Sequence, residues 1–160
     1  MTRAQHLSAT LAAILDGDPW YAPPLKTALD GVSAVTAAAR PLGGAHSIWE
    51  ITLHLDAWNR VCLRRLAGEA VEEPPADFPT PGTIGPAEWR EARMRLDASC
   101  RELMDRAARL SGEDLERVVA GKDYTADFLI EGAGQHWIYH GGQISLLGRA
   151  MRSVVNPEAE

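Results

Sequence analysis

A proline-rich segment between two long helical patterns places the strongest constraint on the fold of this chain. Residues 67–86, AGEAVEEPPADFPTPGTIGP, contain five prolines in 20 residues, and proline removes a backbone donor that a helix interior needs. A loop of this length is uncommon inside a compact domain. At about 3.3 Å per extended residue, it can run the full length of a long helix. The segment therefore permits a crossover between two helices that point in the same direction.

Apolar residues recur at steps of three and four in four long segments, which predicts four helices. The predicted ranges are 3–16, 46–66, 86–110 and 125–152. Shorter helical pieces are expected at 32–39 and after Ser111, and Thr2 is a suitable N-cap for the first helix. No segment shows the alternation typical of strands. We therefore expect an all-α fold, a four-helix bundle that forms a single domain over residues 1–160.

The fourth helical pattern is rich in glycine, which lowers helix propensity by up to about 1 kcal/mol per residue. The apolar stripe nevertheless stays in phase through Ile144, Leu147 and Met151. We therefore expect the helix to continue past Gly141, with small residues that let a neighbouring helix or a ligand approach closely.

Composition excludes several classes of function. The net charge of −6 argues against a nucleic-acid-binding protein, which needs surplus Lys and Arg. No run of about 20 apolar residues offers a membrane span. The N-terminal apolar run is interrupted by Asp16 and leads to no small-residue cleavage site, so we expect a cytoplasmic location. Cys62 and Cys100 lie in helical patterns and are expected to be small core residues rather than a disulfide.

Three of the five histidines fall on predicted buried stripes. His136 and His140 are one turn apart, about 40° from each other on the fourth helix, and His54 lies mid-face on the second. If these helices are neighbours, three imidazoles converge where bundle proteins build metal sites. Gln143 faces the same point and is a candidate supporting residue. Glu50, about 40° from His54, is the other candidate, although a helix-surface acid or a first-turn acid is its ordinary interpretation.

The pattern leaves a second interpretation open, because an inward histidine is often only a hydrogen-bonded core residue. A metal site is favoured by the number of inward histidines, since an unpaired polar ring in the core is costly. Three neutral imidazoles suit a divalent ion such as Zn, Ni or Fe. Three protein ligands also leave coordination positions open for water or a substrate. His6 and His46 are expected to lie outside this site, His46 at its rim.

Two segments carry a family resemblance. His54 is followed by Leu55 and Trp58, an H-L-x-x-W pattern, and the last helix contains H-x-x-x-H-x-G-Q-I over residues 136–144. Together, in this order, they resemble the DinB-like, or YfiT-like, family of metalloenzymes. The resemblance implies an up-down-down-up four-helix bundle, a divalent metal held by His54, His136 and His140, and a possible homodimer.

The resemblance also implies a chemistry, because characterised relatives include bacillithiol- and mycothiol-dependent transferases. We therefore expect a metal-dependent thiol S-transferase or hydrolase that acts on a small-molecule substrate, with a possible low-molecular-weight thiol as co-substrate. A non-catalytic protein that binds a metal or a small ligand is the alternative, and a plain helical bundle is the third. The sequence identifies no catalytic base, no particular thiol and no electrophile.

Overall fold

The chain is helical throughout the part that the structure describes. The structure is a computed structural model that describes the backbone of residues 1–155 and the side chains of residues 1–152, so the end of the predicted 1–160 domain lies outside the described residues. Seven helices lie in this range: α1 (Arg3–Asp16), α2 (Leu25–Leu29), α3 (Ala34–Ala38), α4 (Ile48–Leu66), α5 (Pro86–Ala108), α6 (Gly112–Glu116) and α7 (Ala126–Val155). The same residues form no strand, only an isolated bridge between Val118 and Thr125. The all-α class is confirmed.

Side-chain caps determine where α1 and α4 begin. In α1 the Thr2 hydroxyl accepts a hydrogen bond from the backbone N–H of Gln5, and the Gln5 side chain accepts one from the backbone of Thr2. Ser47 and Glu50 form the same reciprocal box at the start of α4. This box places the first helical residue at Ile48, two residues after the predicted start, because a capping residue keeps an extended backbone.

The last helix continues through its glycines, as the phase of its apolar stripe predicted. One of these glycines has a packing reason. A Cβ at Gly134 would lie 3.1 Å from Ile14 and 3.2 Å from Leu11, so its absence lets α1 approach α7 closely. A Cβ at Gly132 would meet no atom within 4 Å among the described residues, so intramolecular packing does not explain that position.

Each long helix packs against two others. The helix α4 contacts α5 and α7, and α1 contacts the same two. The tryptophans Trp49, Trp89 and Trp137 are buried between these helices. Among the helices of residues 1–155, none combines the length and hydropathy that a bilayer crossing requires.

The short helix α2 was not predicted from the sequence. It follows Pro23 and Pro24, and its five residues are too few to show a helical period. It contacts α1 and α7, and its Leu25 and Leu29 side chains are buried. Tertiary packing therefore stabilises this turn, which local sequence alone does not specify.

The proline-rich segment between α4 and α5 contains no helix. Its first part is fixed by Arg65, which donates hydrogen bonds to the backbone oxygens of Val71, at 2.8 Å, and of Glu72. Further along, Asp77 contacts Trp58 and Phe78 contacts His46. Successive loop residues thus meet successively earlier residues of α4 and then His46, just before that helix, so the segment runs back along α4.

Candidate metal centre

Three histidines from two helices converge at one point. The residues His54 of α4 and His136 and His140 of α7 each offer a ligand atom, and these atoms lie within 4.8 Å of one another. Their ring centroids are 4.6–4.9 Å apart. The rings of His54 and His140 are buried, and that of His136 is half-buried. We call these three residues the histidine cluster.

The sequence brings the cluster together through two periodicities. The two α7 histidines are one turn apart, so they share a face of the helix. The α4 histidine lies between Ile51 and Leu55, both buried, on the face that packs against α7. The packing of α4 against α7 then brings His54 close to the two histidines of α7.

The proline-rich segment holds the His54 ring. The ring nitrogen Nδ1 donates a hydrogen bond of 2.6 Å to the backbone carbonyl of Asp77, which leaves Nε2 as the acceptor nitrogen of a neutral ring. The Asp77 carboxylate lies 3.2 Å from the same Nδ1 and accepts a bond of 2.7 Å from the Trp58 indole. Trp58, one turn after His54 in α4, therefore borders the site.

Gln143 holds the His140 ring in a similar way. Its amide oxygen lies 2.7 Å from Nδ1 of His140 and accepts the proton of that nitrogen. The other nitrogen, Nε2, is then free to act as a ligand atom. Outer hydrogen bonds of this kind fix the tautomer and orientation of metal-binding histidines in other proteins.

The donor set fits a divalent ion. Nε2 of His54 and Nε2 of His136 are 2.9 Å apart. Two imidazole nitrogens bound to one zinc ion, each about 2.0–2.1 Å from it, lie roughly 2.9–3.4 Å apart at ordinary coordination angles. The two nitrogens are thus at the separation that a shared ion requires, and neutral imidazole is a preferred ligand for Zn, Ni and Fe.

Burial keeps these rings neutral. Burial, together with the positive charges that His140 and His54 would carry, lowers the pKa of His136 to about 4. The pKa of His140 is also lowered to about 4, chiefly by burial, against the opposing hydrogen bond to Gln143. Burial lowers the pKa of His54 as well. At neutral pH the cluster therefore carries unprotonated nitrogens, the form that binds metals.

Glu50 lies apart from the histidine cluster. Its side chain is buried, accepts the backbone N–H of Ser47 at 2.9 Å and pairs with Arg40. The expected surface position is wrong, although the first-turn role is right, because the capping box draws the carboxylate back over the helix start. The nearest histidine given by its contacts is His46, whose Nδ1 lies 3.9 Å from Glu50 Oε2.

Two aromatic contacts order the rim of the cluster. Phe78 of the proline-rich segment stacks on His54, with centroids 4.0 Å apart and planes 7° from parallel. On its other face the same ring stacks on His46, at 3.7 Å and 3°. The sequence pattern did not identify Asp77 or Phe78 as site residues. The available signal was weak: an acidic and an aromatic residue in a long loop of the kind that often carries function.

A cavity of about 600 Å³ opens beside the cluster. It is lined by apolar residues of α4, α7 and the loop before α4, and by the polar side chains of His46, Tyr139 and Gln143. A second cavity of about 330 Å³ lies on the other side of His136, against Trp58 and Arg65. The cluster is thus reachable by a small molecule, and three protein ligands leave room for one.

Comparison with known proteins identifies the family. No curated protein and no solved structure matches the chain. The family model of the DinB superfamily matches residues 3–144, which include all three residues of the histidine cluster and both segments that carry the resemblance. The chain therefore belongs to the DinB superfamily.

Proposed function

We propose that this protein is a divalent-metal-dependent enzyme that acts on a small molecule, by transfer of a thiol to an electrophile or by hydrolysis. The observation that carries the proposal is the convergence of three neutral imidazoles from α4 and α7 beside an open cavity. His54, His136 and His140 would hold the ion. A bound ion of this kind lowers the pKa of water or of a thiol, so that a nucleophile is available near neutral pH.

The residues around the cluster would prepare it for this task. Asp77 and Gln143 hold two rings with Nδ1 protonated, so that Nε2 faces inward without rearrangement. Phe78 covers one face of His54 and limits its rotation. The apolar walls of the larger cavity, among them Ile51 and Leu147, would exclude water around a substrate.

We also propose the up-down-down-up arrangement of the four long helices. Contacts between α4 and α5 follow the same order along both helices. Trp49 contacts Trp89 near the two starts, and Leu66 contacts Arg106 near the two ends, which supports helices that point in the same direction. The proline-rich segment, which runs back along α4, supplies the crossover that such a pair needs. Arg65 of α4 contacts Tyr124 just before α7, while His54 contacts residues further along α7, which supports opposite directions for that pair.

A non-catalytic protein that binds a metal or small ligand is the second candidate. It is favoured by one observation: the described residues that line the larger cavity include no carboxylate that could act as a base. Under this hypothesis the same three histidines would hold the ion, and no turnover would follow.

Elemental analysis and a chelator test separate these functions. We expect purified or reconstituted protein to contain about one divalent ion per chain, and the His140→Ala variant to lack it. We then expect conjugation of a low-molecular-weight thiol to an electrophile, or ester hydrolysis, that stops on chelation and returns with metal. Metal without turnover would favour the binding protein. Protein that holds no ion even after reconstitution would contradict both and leave a plain helical bundle.

A further inference from the structure

His46 occupies a distinctive place at the rim of the histidine cluster. It lines the same cavity as His54, His136 and His140, but its side chain is 45% exposed, whereas that of His54 is 6% exposed. A solvent-accessible imidazole beside a reaction cavity can exchange protons with both substrate and water.

Phe78 keeps His46 out of the cluster. The Phe78 ring is stacked on His46 on one side and on His54 on the other, nearly parallel to both. An aromatic ring between two imidazoles prevents their nitrogens from sharing one ion. His46 is accordingly absent from the group whose ligand atoms converge, and its ring nitrogens remain available for another role.

Glu50 is placed to orient His46. Its carboxylate is buried, and the Oε2 atom lies 3.9 Å from His46 Nδ1. Burial alone would raise the pKa of Glu50, but hydrogen bonds from Ser47 and Arg40 outweigh it and lower the pKa, so the group is ionised. A negative charge beside Nδ1 favours the tautomer protonated at Nδ1, which leaves Nε2 as the acceptor, and it stabilises the imidazolium that follows protonation.

We propose that His46 accepts and returns the proton of the reaction at this site, with Glu50 as its positioning residue; this inference rests on the proposed function. The S–H bond of a thiol, or the O–H bond of water, breaks, and its proton passes to Nε2 of His46. The electron pair left on sulfur or oxygen forms the new bond to the electrophilic carbon of an alkyl, aryl or acyl compound. The leaving group departs with the electrons of its own bond, and His46 returns the proton to it, or to water when the leaving group is chloride.

Charged and titratable groups from three parts of the chain face His46. Glu50, with Arg40 behind it, comes from the start of α4 and the segment before it. In the proline-rich segment, Asp77 precedes the Phe78 that stacks on His46, and Tyr139 and His140 of α7 line the same cavity as His46. Among these, Glu50 makes the closest approach to His46 that the structure gives, at 3.9 Å.

Two substitutions of His46 separate proton transfer from stacking. His46→Phe keeps a flat ring against Phe78 but has no nitrogen, whereas His46→Gln removes the ring. The assay uses zinc-loaded protein with 2-mercaptoethanol and 1-chloro-2,4-dinitrobenzene, and in parallel 4-nitrophenyl acetate. We expect kcat to fall about 10²- to 10⁴-fold in both variants, with zinc content unchanged and the acidic limb of the kcat/KM pH profile lost. His6→Gln, an exposed histidine of α1, is the matched control.

Glu50→Gln tests the positioning role. Glutamine still completes a capping box with Ser47, so the helix start is kept while the charge beside His46 is removed. We expect kcat to fall about 10-fold, with the acidic limb of the pH profile moved to lower pH because protonated His46 is less stable without the carboxylate. An unchanged pH profile would contradict an electrostatic role for Glu50.

Calorimetry adds a measurement that does not depend on turnover. Binding of 2-mercaptoethanol to zinc-loaded protein at pH 7, in two buffers that differ in ionisation enthalpy, gives the number of protons released. We expect the wild type to release fewer protons than His46→Phe, by up to about one. Equal proton release would overturn the role of His46.

The outcomes distinguish failure of the inference from failure of the proposed function. Turnover by the wild type that His46→Phe retains would show that only stacking matters, and loss of zinc from both His46 variants would show a purely structural role. Either result overturns the role of His46 and leaves the proposed function intact. No turnover by the zinc-loaded wild type with either pair of reactants would contradict the proposed function, and the role of His46 with it.

Discussion

Two polar clusters each join α4 to α7, one of them together with Ser99 of α5, and they use their hydrogen-bonding groups differently. In the first, which we call the amide cluster, Asn59 accepts a bond of 2.8 Å from the Trp137 indole and donates one of 3.2 Å to Ser99. These three residues are almost completely buried. In the histidine cluster, by contrast, ring nitrogens of three residues point at each other, and within the described part of the chain only the outer nitrogens of His54 and His140 have a hydrogen-bond partner.

The difference shows how a site differs from a core. The amide cluster matches each donor to an acceptor, which is the usual condition for polar groups in an interior. The histidine cluster gathers acceptor nitrogens, an arrangement that hydrogen bonds among the rings cannot fully satisfy but that a cation can. Four experiments test whether one cluster serves stability and the other serves binding.

The largest expected effect is on metal affinity in the histidine cluster. We expect His140→Ala to weaken binding of zinc by more than about 100-fold, because even the loss of an outer hydrogen-bond partner typically costs 10- to 100-fold. Isothermal titration calorimetry or competition with a chromophoric chelator measures the change. His6→Ala is the control. If His140→Ala bound zinc as tightly as the wild type, the histidine cluster would not be a metal site, and the distinction between the two clusters would fail.

A smaller effect is expected from the outer partner of His140. Gln143→Leu removes the amide oxygen that accepts the Nδ1 proton, so the ring loses its fixed tautomer. We expect zinc affinity to fall about 10- to 100-fold, as measured in the same titration. Gln135→Leu, at an exposed position of the same helix, provides the matched control. If both variants bind equally well, Gln143 does not support the site.

In the amide cluster the effect should appear in stability. Asn59→Leu leaves the buried Trp137 N–H without an acceptor and Ser99 without a donor. We expect the free energy of unfolding to fall by about 1–3 kcal/mol, as measured by urea denaturation of the metal-free protein. Zinc affinity should change by less than about threefold if the clusters are independent. If Asn59→Leu lost much of its zinc affinity and little of its stability, the amide cluster would serve metal binding rather than stability.

The smallest expected effect near neutral pH is the loss of stability of the metal-free protein on acidification, and this loss grows as pH falls. The folded-state pKa values of His136 and His140, about 4, lie below the ordinary value of 6.5. At a pH between these two values, His136 and His140 are protonated in the unfolded chain but neutral in the folded chain. The metal-free protein should therefore lose stability as pH falls from about 6.5 to about 4. Urea denaturation at several pH values tests this.

A variant without the histidine cluster is the control for the pH experiment. With His54, His136 and His140 all replaced by Gln, the decline in stability above pH 5 should flatten, because the groups whose pKa burial lowers have been removed. The amide cluster contains no group that titrates in this range. An equally steep decline in this triple variant would assign the pH dependence to other groups.

Local chemistry made much of the fold predictable. The capping residue Thr2 marked the start of α1, and Pro86 marked the first turn of α5. The phase of the apolar stripe was enough to carry α7 past Gly141. Each of these signals acts within one or two turns of helix, so it is complete in the sequence that contains it. The five-residue α2 was missed because its stability comes from contacts with α1 and α7.

The candidate site was predictable only in part, for the same reason. The spacing of His136 and His140 and the inward face of His54 are properties of single helices, and they were sufficient to nominate three residues. The partners Asp77 and Phe78 come from a loop without periodicity, so no sequence pattern could predict that they contact His54. Glu50 was considered for the metal site, but its capping bonds and Arg40 direct it towards His46 instead.

The sequence by itself determined the four long helices, their buried faces and the family, because these depend on periodicity, capping and motif order. Only the tertiary structure decided which ring nitrogens face inward, which side chain separates His46 from the cluster, and which polar cluster is saturated. Those features depend on contacts between residues more than 20 positions apart, such as His54 and Asp77. Contacts of that range form only when helices and loop pack together, since no local interaction fixes them in advance.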